Sequence, residues 1–464
     1  MNLLKFSLLR FLLPLLLPFS LQAAVFYVDG QAGRDAGPGS KSRPFKSITK
    51  ALSRLHKGDT LILKRGVYTR PLHNIPSGSR LKPTVIRAAD GHHVEIRYPQ
   101  KALRIDGDHI EIHGIVFNGL YGAAPVADIN GSHLLISACE FKNSSRDIMT
   151  IGDVGDITIR NSSLHHGLSW YKKTGKEPHG ISTDGVRGLT IRNCDIYQIT
   201  GDAIQISPSR RDWDNVRIED CRLWVAPLSA TEVEASGLPA RAVGMILAEN
   251  AIDTKARKTD DPGRHNIRFK NITAHGFRSH RIKNAAAFNI KNPVTAHIEG
   301  VTVYDSEIAF RLRAPARVTL ANALIYDCDV GVRYEGRPER LFLFNNTFGL
   351  NLKQALKAVA GTPVDFRVIN NLFLTRRLPK ALRGKALFSR QNRTVPPSLW
   401  PDTFIDAPAG DYRLKENSLP VDSGRDISGL GITDDRRGAK RPAGAGWDMG
   451  AFEYPATNPG NKQP

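Results

Sequence analysis

Ile157-Thr-Ile159-Arg-Asn161 and, one unit later, Leu189-Thr-Ile191-Arg-Asn193 decide the architecture of this chain. Two apolar residues flanking one polar residue make a strand with a single buried face, and the closing Asn marks a turn. The same phrase recurs from Ile110, Leu134, Val216, Ile267, Ala296, Val318 and Leu341, so that successive copies start 24, 23, 32, 27, 51, 29, 22 and 23 residues apart. A base period of 22–24 with occasional insertions is the signature of a solenoid. No amphipathic helix separates the strands, which excludes leucine-rich and helical repeats. The pattern predicts an all-β chain wound as a right-handed parallel β-helix of about nine or ten coils, near 45 Å long at ~4.8 Å per coil. Asn at one place in successive coils is expected to stack along the axis.

Cys139, Cys194 and Cys221 each follow that turn position directly, and read as an inward stack of small apolar thiols. With Cys328 they are too few and too widely spaced for a disulfide scaffold or a zinc site.

The flanks divide the rest of the chain. Lys5 and Arg10, the apolar run Phe11–Leu17 and small Ala23-Ala24 give 1–23 the layout of a secretory signal peptide, so a secreted or periplasmic protein is expected. No later segment approaches about 18 apolar residues, and no membrane span is expected. Residues 24–100 should form the N-terminal cap and first coils. There Ser47–His56, with Ile48, Leu52 and Leu55 at helical spacing, predicts a short helix over the open end. The β-helix proper is expected over 101–373, a Pro- and Gly-rich wrapping segment over 374–454 and a disordered tail over 455–464. A solenoid capped in this way is expected to be a monomer.

The 464 residues are 41% hydrophobic and 24% charged, enough for a large core and unlike a disordered chain. A formal net charge of +20 calls for a polyanionic partner. Nucleic acid, an anionic membrane surface and an acidic polysaccharide all qualify. Export argues against nucleic acid, and an acidic polysaccharide is the expected partner.

Alternation identifies the side chains that leave the solenoid on the strand preceding each Asn-turn copy. One outward column reads Arg104, Asp128, Thr150, Ser182, Gln205, Asp253, Asn289, Arg311, Arg333. Its neighbour reads Asp106, Asn130, Gly152, Asp184, Ser207, Lys255, Lys291, Arg313, Glu335. Acids and amides dominate the early coils and cations the later ones, so the face changes sign near Asp184, Asp253 and Lys255, where an active site is expected. A hard cation such as Ca²⁺ takes several carboxylate and amide oxygens, which Asp184, Asp253, Gln205, Asp202 and Glu249 could supply. Lys291, Arg311 and Arg313 extend a cationic strip beside it, and like charges stacked at ~4.8 Å repel unless an anion lies between them. Trp170 and Tyr171, in a lysine-containing insertion at 168–178, could stack on sugar rings or only pin their loop.

Family resemblances enter at these residues. Tyr27-Val-Asp-Gly, Gly33-x-Asp35, Pro44-Phe, Gly58-Asp-Thr-Leu and Gly66-Val-Tyr look like the N-terminal segment of pectate-lyase-like β-helix proteins, which speaks for the fold rather than the substrate. Glu249-Asn-Ala-Ile-Asp253-Thr-Lys255 is similar to the acid-to-Lys strand of polysaccharide lyases related to chondroitinase B and alginate lyase. That resemblance implies Glu249 and Asp253 as Ca²⁺ ligands, Lys255 as the base that removes a proton, and Arg311 or Arg278 as the assisting arginine. A second resemblance competes: Ser182-Thr-Asp184-Gly185, Gly201-Asp202 and Arg281-Ile-Lys283 echo polygalacturonase signatures, although Ala203 replaces the second Asp of that family's pair. Glu177-Pro-His179 is faintly similar to a tripeptide of mannuronan C5-epimerases.

These lines converge on a secreted lyase that cleaves a uronic-acid polysaccharide by Ca²⁺-assisted β-elimination. Lys255, Arg311 and Arg278 would be catalytic, Lys291, Arg313, Gln205, Trp170 and Tyr171 would bind substrate, and Asp184, Asp253, Glu249 and Asp202 would hold the metal. A hydrolase or epimerase on the same fold, and a non-catalytic polysaccharide-binding rod, are the alternatives.

Overall fold

A computed structural model describes residues 23–170, 177–257, 261–382 and 387–455. The coils build three parallel sheets, of 14, 13 and 10 strands, and each coil from Leu103–Ile105 to Gln354–Val359 contributes a strand to the third. In one coil, for example, Gly155–Arg160 enters the first sheet, Ser163–Gly167 the second and Ile181–Asp184 the third. The result is the right-handed parallel β-helix that the repeat predicts. It is longer than expected, because the strands Val25–Val28, Thr60–Leu63 and Thr84–Ala88 already belong to the first sheet without carrying the Asn phrase. Thirteen coils at ~4.8 Å give a rod of roughly 60 Å.

The Asn phrase has a conformational cause. Gly114, Ala138, Asn161, Asn193, Asp220, Asn271, Gly300, Asn322 and Asn345 all adopt left-handed backbone, with φ between 51° and 69°. Asn and Gly tolerate that region best among L-residues. The amides also bond along the axis in places, with Asn193 Nδ2 donating to Asn161 Oδ1 at 2.9 Å and Asn271 Nδ2 to Asp220 Oδ1 at 2.8 Å.

Inside, the residues that alternate inward stack coil on coil, as in the face-to-face Phe288–Phe310 pair at 4.9 Å. Cys139, Cys194, Cys221 and Cys328 are buried free thiols. The predicted helix over Ser47–His56 is shorter, covering Ile48–Leu52 with Ser47 as its N-cap and Ile48 and Ala51 buried. Pairing into the first two sheets persists to Thr394, beyond which the chain folds back along the solenoid. There Arg441 and Glu453 form an ion pair at 2.6 Å with no exposure. Asn322, Asn345 and Asn370 donate to the carbonyls of Asp434, Asp448 and Arg425, clipping this returning segment to the coils. Among the described residues no helix is long and apolar enough to cross a membrane. The predicted signal peptide falls outside the described residues except for Ala23, as does the predicted tail except for Pro455.

Candidate functional site

The outward column of the third sheet is realised residue for residue. Arg104 pairs with Asp128, Asp128 with Thr150, Thr150 with Ser182, Ser182 with Gln205, Gln205 with Asp253, Asp253 with Asn289, Asn289 with Arg311, and Arg311 with Arg333. Parallel in-register pairing forces this once the apolar partners face the core.

A groove of about 650 Å³ opens over the middle of the column. Its floor holds Thr150, Ser182 and Gln205, and its walls include Arg146, Glu177, His179 and Lys255. A ladder of polar side chains runs along one edge, two residues before the first inward residue of each strand. Asp147 Oδ1 accepts from the His179 amide at 2.8 Å, and His179 Nδ1 accepts from the Asp202 amide at 3.0 Å. Asn250 Nδ2 donates to Asp202 Oδ1 at 2.7 Å, and Asn250 Oδ1 accepts from the Ala286 amide at 3.2 Å. A backbone N–H can only donate, so Nδ1 of His179 carries the lone pair and the neutral ring has its proton on Nε2. That Nε2 lies 3.1 Å from the side-chain nitrogen of Gln205, whose hydrogen bond is donated to Asp202 Oδ2 at 2.9 Å.

The four carboxylates expected to share a cation do not converge. Asp202 is buried and taken up by Asn250 and Gln205. Asp253 is 2% exposed and bonds Lys291 Nζ at 2.7 Å, leaving its Oδ1 without a partner. Burial, then the nearby Asp202 charge, push its carboxyl up to about 7 against the pull of Lys291. Glu249 bonds Arg281 at 2.8 Å, and Arg281 also reaches Glu177 at 2.9 Å. Burial and the hydrogen bond with Glu177 push Glu249 up to about 8. Asp184 is exposed at the far end of its strand. Among the described residues no group of three or more His, Cys, Asp or Glu side chains could hold an ion. The donor set therefore does not fit the Ca²⁺ expected of it, because each buried carboxylate already has a protein partner.

The cationic strip is also internally compensated. Glu335 bonds Arg311 at 2.8 Å, Arg313 at 3.1 Å and Arg333 at 2.8 Å, and is itself held below the usual carboxylate range by these guanidinium groups despite its burial. The anion needed between the stacked cations is thus the protein's own. Arg278 sits after the strand Thr273–His275 of the second sheet and is engaged by Asp305 at 2.9 Å and Asp329 at 3.0 Å. Neither Arg311 nor Arg278 lines the groove. Trp170 packs in an apolar cluster with Leu228, Val233 and Leu247 of the long insertion, with Arg241 over its ring at 5.1 Å. Tyr171 lies outside the described residues.

What remains is Lys255. It lines the groove, and its Nζ has no hydrogen bond or ion pair among the described residues. Arg146, Glu177 and His179 were not prominent in the sequence because they lie at corners, outside the two-residue alternation. The available signal was a polar residue at the same offset in four successive coils: Asp147, His179, Asp202 and Asn250. The polygalacturonase-like pair fares differently. In register, Asp184 lies five positions along the strand from the level of Asp202, one coil away. That is ~17 Å of strand, beyond the ~6.5–9.5 Å an inverting pair needs.

Comparison with known proteins agrees with the fold. A family model for a right-handed β-helix region matches residues 101–234, and one for a family of unknown function (DUF1565) matches 31–74. Among solved structures, pectate lyase Pel9A superimposes with a TM-score of 0.50 at 16% identity, covering 94% of this chain and 97% of that one. An alginate lyase from Paenibacillus sp. gives 0.42 at 15% identity, over 68% of this chain and 94% of that one. A PL6 family polysaccharide lyase from Pseudopedobacter saltans gives 0.46 at 12%, over 80% and 95%. No curated protein matches. At such identities the likeness is one of fold.

Proposed function

We propose that this protein is an exported polysaccharide lyase that cleaves a uronic-acid chain by β-elimination, with Lys255 as the base. The observation that carries this is the Lys255 side chain, without a carboxylate partner in a groove where the neighbouring cations Lys291 and Arg311 are consumed by Asp253 and Glu335. A lysine held free of carboxylates is the residue of the strip able to take up a substrate proton.

In the reaction, Lys255, as its neutral amine, takes the proton from C5 and becomes the ammonium, the electron pair moves into the substrate carboxylate as an enolate, and the C4–O4 bond then breaks to leave a C4–C5 double bond. The neutral His179, with its proton on Nε2, and the Gln205 amide are placed on the groove to hydrogen-bond the developing enolate. The Glu249 carboxyl, pushed up to about 8 by burial and tied to Glu177 of the groove wall through Arg281, would supply the proton to the departing O4. No step is assigned to Ca²⁺, Arg311 or Arg278.

The test is incubation of the full chain with pectate, alginate and glycosaminoglycans, following the absorbance of the unsaturated product. Lys255→Ala is expected to lower kcat by about 100-fold or more. Full activity in that variant would reject Lys255 as the base. New reducing ends without unsaturation would indicate a hydrolase, and binding without product a non-catalytic rod.

A further inference from the structure

A polyuronate carries one carboxylate on every sugar, so a groove that holds it must meet charges beyond the reacting one. Arg146 lines the same groove as Lys255 and precedes the strand Met149–Ile151 at its corner. Its guanidinium has no hydrogen bond or ion pair among the described residues, and its Nη1 is shielded from solvent with no acceptor. A charged donor left in that state costs about 1–3 kcal/mol unless something completes it. The adjacent Asp147 does not do so, because its Oδ1 is turned to the His179 amide. In pairing order Arg146 belongs to the coil of Met149–Ile151 and Lys255 to the coil of Asn250–Thr254, three coils on. The axial separation is ~14 Å at ~4.8 Å per coil, longer than one pyranose ring, so the sugar that reacts at Lys255 is not the one that meets Arg146.

We propose that Arg146 is a substrate-binding residue that receives the carboxylate of a non-reacting uronate, so that the chain is anchored by a protein cation with no divalent cation at the site. This rests on the lyase reading only for the direction of the chain across the coils, since anchoring an acidic oligosaccharide requires no cleavage. The occupied donors argue for it independently. Lys291 and Arg281 supply the counter-charge to Asp253 and Glu249, and Asn250 and Gln205 hydrogen-bond Asp202, so the carboxylates nearest the groove are already taken up by side chains. A guanidinium suits the task because its planar fork takes a carboxylate through two hydrogen bonds.

The experiment measures, by calorimetry, the affinity of the full chain for uronate tetrasaccharides of the pectate and alginate series, in EDTA and in excess CaCl₂. Lys255→Ala is used as background so that no substrate is consumed. Arg146→Gln in that background is expected to weaken binding about 10- to 100-fold, as loss of one charge-assisted contact does, while EDTA and CaCl₂ give the same affinity. In the otherwise native enzyme, Arg146→Gln is expected to raise KM with kcat retained. Arg146→Lys is expected to recover only part of the loss. Unchanged affinity in Arg146→Gln, or binding that appears only with Ca²⁺, would overturn the proposal. Tight, Arg146-dependent binding, with no unsaturated product from the protein that retains Lys255, would leave the anchor standing and remove the lyase reading instead.

Discussion

Replacing Lys291 by Met, which keeps length and removes charge, tests the buried half of the site. Asp253 is 2% exposed, and Lys291 is its only side-chain hydrogen-bond partner among the described residues. Asp253 titrates near 7 with Lys291 present, raised from an unfolded value of ~3.9 by burial and by Asp202. The folded state therefore holds this proton more tightly than the unfolded chain. Its contribution to stability is fully present below about pH 4, declines as pH rises through 7, and is level above that. Without Lys291 the carboxyl must stay protonated to remain buried, and the decline continues past 7 at about 1.36 kcal/mol per pH unit. Relative to the native protein, the variant is expected to be nearly as stable at pH 5 and to lose about 3 kcal/mol at pH 9, within the ~3–5 kcal/mol that stranding one partner of a buried pair costs. At ~2.1 cal/mol/K of unfolding entropy per residue, 464 residues convert this to a Tm lowered by about 3 °C. Scanning calorimetry of both proteins at pH 5 and pH 9 provides the comparison. Equal losses at the two pH values, or none at pH 9, would refute the assignment of Asp253 as a buried charge held by Lys291.

Other outcomes are expected. Glu249, raised to about 8 by burial and Glu177, likewise favours the folded state at low pH, with its contribution lost between about pH 4.3 and 8. Glu249→Gln should make the fall of Tm across that interval shallower, and a wild-type Tm that climbs from pH 5 to 8 would contradict the assignment. Asn345→Gly keeps the left-handed turn but removes the bond to the Asp448 carbonyl at 2.9 Å. A loss of about 1–3 kcal/mol there should speed native-state proteolysis of residues 420–455 by about 10-fold or more, and unchanged cleavage would mean that Asn345 is not a clip.

The coils were legible because each strand carries its own evidence: Ile204 and Ile206 must face inward, so Gln205 must face outward, and parallel pairing then fixes it beside Ser182 and Asp253. Charge compensation was not legible by the same route. Reading down a column places Lys291 beneath Lys255 as a like-charged neighbour, whereas its long side chain crosses diagonally to Asp253, and Glu335 gathers three arginines from two columns. The first coils before residue 100 were expected but could not be counted, because turns there do not use the Asn phrase. Arg146 and His179 sit at corners, where the chain is no longer constrained to alternate and the sequence holds no register to count from.

The clips made by Asn322, Asn345 and Asn370 bear on how the molecule is completed. These side chains belong to coils synthesised well before their partners Asp434, Asp448 and Arg425, so a growing chain can stack its rungs yet must leave that flank unlatched. Only arrival of the last few dozen residues, with Arg441 and Glu453 closing on each other, locks it. A protein truncated near residue 420 would possess the groove and still lack its latch.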